Sequence, residues 1–335
     1  MEYSGKLRML KVLRILERDT DPEHRLTLKE IAQKLKHELL TDELPGKKAL
    51  ESDIHTLVEA GYDILWQQRG NNGANEYWLN ERNFETYQLR MLIDAIMFSM
   101  FITKGDAMDL IDRLLEPVSI HEAKKLKEPC KLMDYVPRTR NRKLKYFIDT
   151  LYTAINERKE VRFRYGKYGP DKKFHYHQEG RFYVARPYAL VWWENKYYLV
   201  AEYLNEPDFR HFRVDRMDNV QIVGEKSFEP KPLNIGEYVR TSFHMFNGEE
   251  KVVKLEFEDN ERNDFLNMVF DRFGMDVNVE PREGHRFVLK VKAKVSQGLI
   301  NWILTWGSRV KVLEPSELVE QVRAETEKLY RKYHS

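Results

Sequence analysis

The chain has 335 residues, 42% of them hydrophobic, enough to bury more than one core, so two or three domains are expected. Its single cysteine, Cys130, excludes an internal disulfide, no apolar run is long enough to span a bilayer, and the N-terminal MEYSGKLRML lacks the apolar stretch of a secretion signal; the expected location is the cytoplasm, away from membranes. A net charge of +2 is too small to diagnose a polyanion partner, but residues 1–83 carry 13 Lys/Arg against 15 Asp/Glu and residues 138–220 carry 18 against 11, so the basic excess lies in the middle.

At the N-terminus Leu7, Leu10, Leu13 and Leu16 recur at helical spacing. After a break at residues 19–23, a second helix buries Leu28, Ile31, Ala32 and Leu35. Its start is marked by Thr27 with Glu30 three residues on, a capping box that satisfies two orphan amide donors. Beyond Pro45 and Gly46, a third apolar stripe of Leu50, Ile54, Leu57 and Val58 ends at Gly61. Residues 64–68 and 76–79 then flank Asn71, Asn72 and Gly73, which take positive φ readily, and predict a β-hairpin.

Three short helices followed by a hairpin is the order of a winged helix-turn-helix, expected over residues 1–83. In that fold the third helix enters the major groove, so its outward residues Lys48, Ser52 and His55, with Lys47 and Glu51 beside them, are the candidate DNA readers. Arg69 in the hairpin is the candidate backbone contact, and Lys29 on the second helix is a further candidate DNA-binding residue. The plain alternative is a solvated charged face. Glu51 and the acidic balance of the segment oppose phosphate, so binding would depend on locally placed cations and on a dimer.

Residues 84–136 are expected to form a helical connector. Leu89, Leu92, Ile93 and Ile96 make one stripe, and Leu110, Ile111, Leu114 and Leu115 another. Additional apolar residues, Met97, Phe98, Met100 and Phe101, suit either a dimer face or an internal core. Pro129 and the basic run PRTRNRK at 137–143 mark a domain boundary. Cys130, in that break, is expected to be a packed or surface thiol rather than a nucleophile, since no second cysteine or histidine accompanies it.

A helix over 143–158 and strands at 161–165, 181–185, 189–193, 196–201 and 211–214 predict a small, strongly bent sheet within residues 137–232. Alternation turns Phe212 and Val214 inward and sends His211 and Arg213 to the other face. Arginine beside exposed aromatics suits phosphates held by guanidinium and bases stacked on rings. The alternative is a structural sheet whose arginines pair with Glu202, Asp208 and Asp215.

Residues 233–335 read as β-α-β-β-α-β, a ferredoxin-like order, closed by a charged helix over 317–332. Trp302, Ile303 and Trp306 are expected in its core. Lys290, Lys292 and Lys294 share one strand face, read as solvated. The fold class expected for the whole chain is thus multi-domain α+β.

No catalytic constellation emerges. His175, His177 and His211 lack neighbouring carboxylates or cysteines for a metal site, and Gly166, Lys167 and Gly169 match no phosphate-loop spacing. The expectation is a protein that is not an enzyme and carries no cofactor or metal.

Several segments resemble one family. Residues 196–200, KYYLV, look like the tryptophan-tyrosine-leucine signature of WYL domains with tyrosine in the tryptophan place, and RPYALVWW before it and FRVDRM after it match the same family. KKALESDIHTLVEAGYDI at 47–64 is similar to the recognition helix and wing entry of WYL-type transcriptional regulators. FNGEEKVVKLEF and residues 271–274, DRFG, resemble their C-terminal WCX extension.

The resemblance implies a dimeric transcriptional regulator, usually a repressor, that binds double-stranded operator DNA. It also implies that a nucleic-acid or nucleotide effector binds at Arg186, Tyr188, Tyr198, His211, Arg213 and Arg216. A single-stranded nucleic-acid accessory or interaction module is the other expectation. The recognition helix departs from the family: Thr-Ile-Tyr-Arg-Asp is common where this chain has Ala49-Leu50-Glu51-Ser52-Asp53, which removes an arginine contact. The connection at 38–46 is also long for a tight helix-turn-helix.

Overall fold

The computed structural model describes residues 4–41, 43–70, 73–203, 206, 208–224, 227–243 and 245–334. Asn71 and Asn72 of the expected hairpin turn lie outside them. The chain divides into two compact units, 1–142 and 143–335.

In the first unit, α1 (Gly5–Asp19) is followed by β1 (Leu26–Thr27), α2 (Leu28–Leu39), α3 (Lys47–Glu59), β2 (Ile64–Gln68) and β3 (Asn75–Leu79). The strands pair antiparallel in the order β1-β3-β2. Thr27 and Glu30 form the expected capping box, the Thr27 amide donating to Glu30 Oε2 at 2.7 Å. The leucine stripe of α1 is not the buried one: Leu7 and Leu10 are exposed, and Val12, Leu13, Ile15 and Leu16 fill the core. A strict three-residue repeat drifts by about 60° per step, so Leu7 and Leu16 lie roughly half a turn apart. Leu35, Leu50, Ile54, Leu57, Ile64 and Tyr77 complete this core.

The connector consists of α4 (Thr86–Phe98), α5 (Lys104–Leu115), α6 (Ile120–Lys127) and a 3-10 run, Glu128–Tyr135. Leu89, Ile93, Met97, Ile111, Leu115 and Cys130 are buried together, so of the additional apolar residues Met97 serves an internal core. Burial pushes the Cys130 thiol up, as suits a packed cysteine. Tyr87, Met91, Leu92 and Phe98 of α4 stay exposed. Arg82 donates to the carbonyls of Thr20 and Pro117, and the Ser119 hydroxyl donates to buried Asp21, which ties the connector to the helices before it. Arg138 donates to the carbonyls of Met97 and Ser99, the otherwise unsatisfied end of α4.

The second unit opens with α7 (Leu144–Glu157), followed by β4 (Glu160–Tyr168), β5 (Phe174–Tyr176), β6 (Tyr183–Trp193), β7 (Lys196–Tyr203), β8 (Arg210–Arg213) and β9 (Met217–Val223). They form one antiparallel sheet in the order β5-β4-β6-β7-β8, with β9 on β4. The two runs expected at 181–185 and 189–193 are one strand. Pro187 lacks the amide that would continue the ladder, and a bulge between Pro187 and Ala189 carries the strand past it. The face packed by α7 is aromatic: Phe163, Tyr183, Tyr203 and Phe212 lie with ring centroids 5.1–5.9 Å apart.

A short helix, α8 (Ile235–Thr241), leads into β10 (Glu249–Glu258), α9 (Asp264–Phe273), β11 (Asn278–Arg282), β12 (Arg286–Val295), α10 (Gln297–Leu304), β13 (Val310–Glu314) and α11 (Ser316–His334). The sheet order β11-β12-β10-β13 is ferredoxin-like. Trp302 and Trp306 pack around Phe243, Phe257, Phe265 and Phe273. Of the three lysines read as solvated, Lys290 and Lys292 are exposed, but Lys294 is only 6% exposed. α8 packs on β12 and covers it.

Candidate functional site

The orientation of α3 is set by what it buries. Leu50, Ile54 and Leu57 enter the core, and Asp53, beside them, accepts from Arg8 Nε at 2.6 Å and Nη2 at 3.0 Å. This doubly bonded pair fixes the rotation of α3 about its axis. The opposite face, with Lys47, Lys48, Ser52 and His55, is exposed. Glu51 lies 3.7 Å from Lys47 Nζ and offsets part of its charge.

Between the starts of α2 and α3 and the β2–β3 hairpin lies a cleft of about 760 Å³, lined by Lys29, Lys47, Glu51, Gln68, Gly73 and Asn75. The structure thus brings Lys29 and Lys47 together, with Lys48, Ser52 and His55 on the helix beside them. Arg69, just beyond β2, is largely exposed and 3.5 Å from Glu76. Trp66 was absent from the expected set. On β2, Ile64, Trp66 and Gln68 share a face; Ile64 is in the core, Gln68 lines the cleft and Trp66 is 63% exposed. Strand alternation in residues 64–68 carried that signal.

In the second unit β7 and β8 pair with Val200 opposite His211 and Tyr198 opposite Arg213. Leu199, Ala201, Phe212 and Val214 are buried on one side. Tyr198, Val200, Glu202, His211 and Arg213 share the other, as alternation predicts. Along that face the six residues expected to hold a ligand fall into three groups.

At one end Arg213 grips Asp215 through Nε (3.0 Å) and Nη2 (2.7 Å), and its amide donates to the Tyr165 hydroxyl at 3.1 Å. Burial pushes the hydroxyls of Tyr165 and Tyr198 up, so both remain protonated donors. Arg216, close enough to act on both, has no ion pair among the described residues.

At the other end Arg186 lies 3.0 Å from Glu160 and 3.7 Å from Glu202, which Lys231 also pairs at 2.6 Å. The Tyr188 hydroxyl donates to Glu202 and accepts from the Lys231 amide, while its ring packs on Phe209 and Phe228. Arg186 and Tyr188 are thus occupied within the protein.

His211 lies between these ends and is not exposed as the alternation suggested. α8 roofs the centre of the face: Tyr238 stands 5.3 Å from the His211 ring, and Met245 packs with Val191 and Val200. Burial, with the charge of Lys294, pushes His211 down to about 4. Lys294 of β12 places its Nζ 3.1 Å from the Tyr238 ring centroid, and burial pushes it down to about 8. Neither Lys294 Nζ nor His211 Nε2 has a hydrogen-bond partner among the described residues. Tyr238 and Lys294 escaped the sequence reading because their roles depend on how the segment after β9 folds back, and Tyr165 because its contact with the Arg213 amide joins β4 to a distant part of the sheet.

No helix among the described residues is long and apolar enough to cross a membrane.

The fold and these two faces define a multi-domain α+β protein with a polar helix-and-hairpin face in one unit and an aromatic, arginine-bearing sheet in the other. Comparison with known families assigns that second unit: residues 146–222 match the WYL domain and residues 250–330 the WCX domain, so the chain carries a WYL domain followed by a WCX domain. No curated protein matches the chain. Among solved structures it is similar to the proteasome accessory factor B/C (PafBC) of Arthrobacter aurescens, at 15% identity and a TM-score of 0.27, over 99% of this chain and 49% of that one. The chain therefore spans about half the length of that protein.

Proposed function

We propose that this protein binds rather than catalyses: it is a DNA-binding transcriptional regulator, a repressor acting as a homodimer, whose WYL domain takes a nucleic-acid or nucleotide effector that modulates operator binding. The observation that carries the reading is the outward face of α3. Its rotation is held by Arg8 and Asp53, and Lys47, Lys48, Ser52 and His55 face solvent beside a cleft that Lys29 and the wing complete. Lysines there suit phosphates, and Ser52 and His55 suit base edges.

On the WYL face the effector reading rests on Arg216, with Tyr198, Tyr165 and Arg213 around it. A guanidinium with no ion pair among the described residues, beside two protonated phenols, suits an anionic group next to a stacking base. The mechanism is linkage: an effector that prefers one arrangement of the dimer changes operator affinity by the ratio of its affinities for the two, and by no more.

The test is duplex binding by the full chain with and without a short single-stranded oligonucleotide. The reading expects the oligonucleotide to change duplex affinity, and Arg216→Ala to remove that change while leaving duplex binding alone. A chain that binds only single strands is instead the accessory module. An Arg216→Ala variant that responds like the parent removes the effector assignment.

A further inference from the structure

Lys294 is the one residue of its strand face whose environment contradicts its chemistry. Lys290 and Lys292 meet solvent, and Lys292 lies 3.7 Å from Glu250 and 3.8 Å from Glu237. Lys294, two positions on, is 6% exposed, and its ammonium faces the Tyr238 ring with no hydrogen-bond acceptor among the described residues. A buried ammonium without an acceptor is costly, and a cation–π contact offsets only part of that cost.

The same ring borders a second unsatisfied group. His211, from the WYL domain, has the Met245 backbone beside it, which favours its protonated form, but burial outweighs this and keeps the ring neutral. Its Nε2 is buried with no hydrogen-bond partner among the described residues, and in the tautomer protonated at Nδ1 it is an acceptor. Two domains thus place a buried ammonium and a buried ring nitrogen, neither partnered among the described residues, around one tyrosine.

One chemical group answers both. A phosphate monoester carries charged oxygens for an ammonium and, in its singly protonated form, a hydroxyl for an imidazole acceptor. An internal phosphodiester has no such hydroxyl. We propose that Lys294 and His211 form a composite WYL–WCX subsite for a terminal phosphate, that of a mononucleotide or the phosphorylated end of a single strand. The roof over this site is α8, seven residues long with only Thr241 fully buried, which is the part that gives way when the phosphate enters. The inference rests on the reading that the WYL domain takes a nucleotide effector, and adds which end of it is recognised.

The subsite has a pH signature. Besides Tyr238 and His211, the charged groups acting on Lys294 are Asp208, before β8, and Glu250 of β10. The titrating partners in the neutral range are Lys294, pushed down to about 8 by burial, and the phosphate. Binding keeps one proton between phosphate and imidazole that free dianionic phosphate lacks, so affinity falls about tenfold per pH unit above pH 7.

The experiment measures binding to the full chain of one short oligonucleotide, with and without a 5′-phosphate, together with adenosine 5′-monophosphate and inorganic phosphate as competitors. The phosphorylated strand is expected to bind at least about tenfold more tightly at pH 7, with the advantage shrinking as pH rises. Competition by the mononucleotide but not by inorganic phosphate supports the subsite and shows that the nucleoside is also needed. Competition by both supports it with phosphate alone sufficient. In Lys294→Met the preference is lost while the unphosphorylated strand binds as before, and thermal stability does not fall, because an unsatisfied buried charge has been removed.

Equal binding of the two strands by the parent overturns the subsite and leaves the effector reading standing. A preference that survives in Lys294→Met overturns it as well. If no strand or nucleotide binds the parent at all, the effector reading and the subsite fail together. The parent's own end preference and pH dependence decide the matter even if the variant does not fold.

Discussion

The Arg8–Asp53 pair is the clearest place where a buried interaction supports a functional face. Asp53 is nearly buried and Arg8 keeps about a fifth of its side-chain exposure, 21%. Asp53→Ala removes both hydrogen bonds and leaves the guanidinium without its carboxylate against the helix. Breaking one partner of a buried pair costs about 3–5 kcal/mol, and the remaining hydration of Arg8 reduces this to about 2–3 kcal/mol. Amide hydrogen exchange at Ile54 and Leu57, in the middle of α3, reads the change directly, and a loss of that size speeds exchange roughly 30- to 150-fold. Arg8→Met combined with Asp53→Leu should cost less than Asp53→Ala alone, because no charge is then left unpaired. Unchanged exchange in Asp53→Ala would refute the claim that this pair holds α3 in place.

Three further outcomes follow from local contacts. Thr27→Ala, which removes the hydroxyl cap of α2, should lower the stability of the first unit by about 1 kcal/mol in urea denaturation, and no change would mean the capping box is redundant. Phe163→Ala empties a fully buried position in the aromatic core of the WYL domain and should cost about 3–5 kcal/mol, read as early loss of protection in β4 and β6. Glu38 is held below the usual carboxylate range by hydrogen bonds from Lys11 and Arg18. Its folded value is depressed, so its contribution is complete above the ordinary glutamate range and is lost as pH falls through that lower value. Urea midpoints at pH 6 and pH 4 should therefore drop more for the parent than for Glu38→Gln; parallel drops would contradict the assignment.

Local rules wrote much of this fold into the sequence. The capping box of Thr27 and Glu30, the buried stripe of α3 and the alternation of β7 and β8 all depend on neighbours within a few residues. The lysines of α3 and the shared face of His211 and Arg213 could be read for the same reason. What escaped depends on distant chain. His211 alternates outward as expected, yet α8, some 25 residues further on, lies over it. Lys294 sits on a solvent-type strand face until α8 covers it. Arg8 shows nothing in its own segment of the role Asp53 gives it. The leucine spacing of α1 misled because a three-residue repeat is close to the helical period without equalling it.

The account turns on whether the exposed face of α3 binds duplex DNA through its lysines. The direct measurement is duplex affinity of the full chain across a salt series, for the parent and for Lys47→Ala with Lys48→Ala. Each phosphate contact contributes about 0.9 to the slope of log affinity against log salt, so the double variant should bind more weakly at low salt and lose roughly two units of slope. Duplex binding that is absent at low salt, or a slope unchanged by the two substitutions, would contradict it.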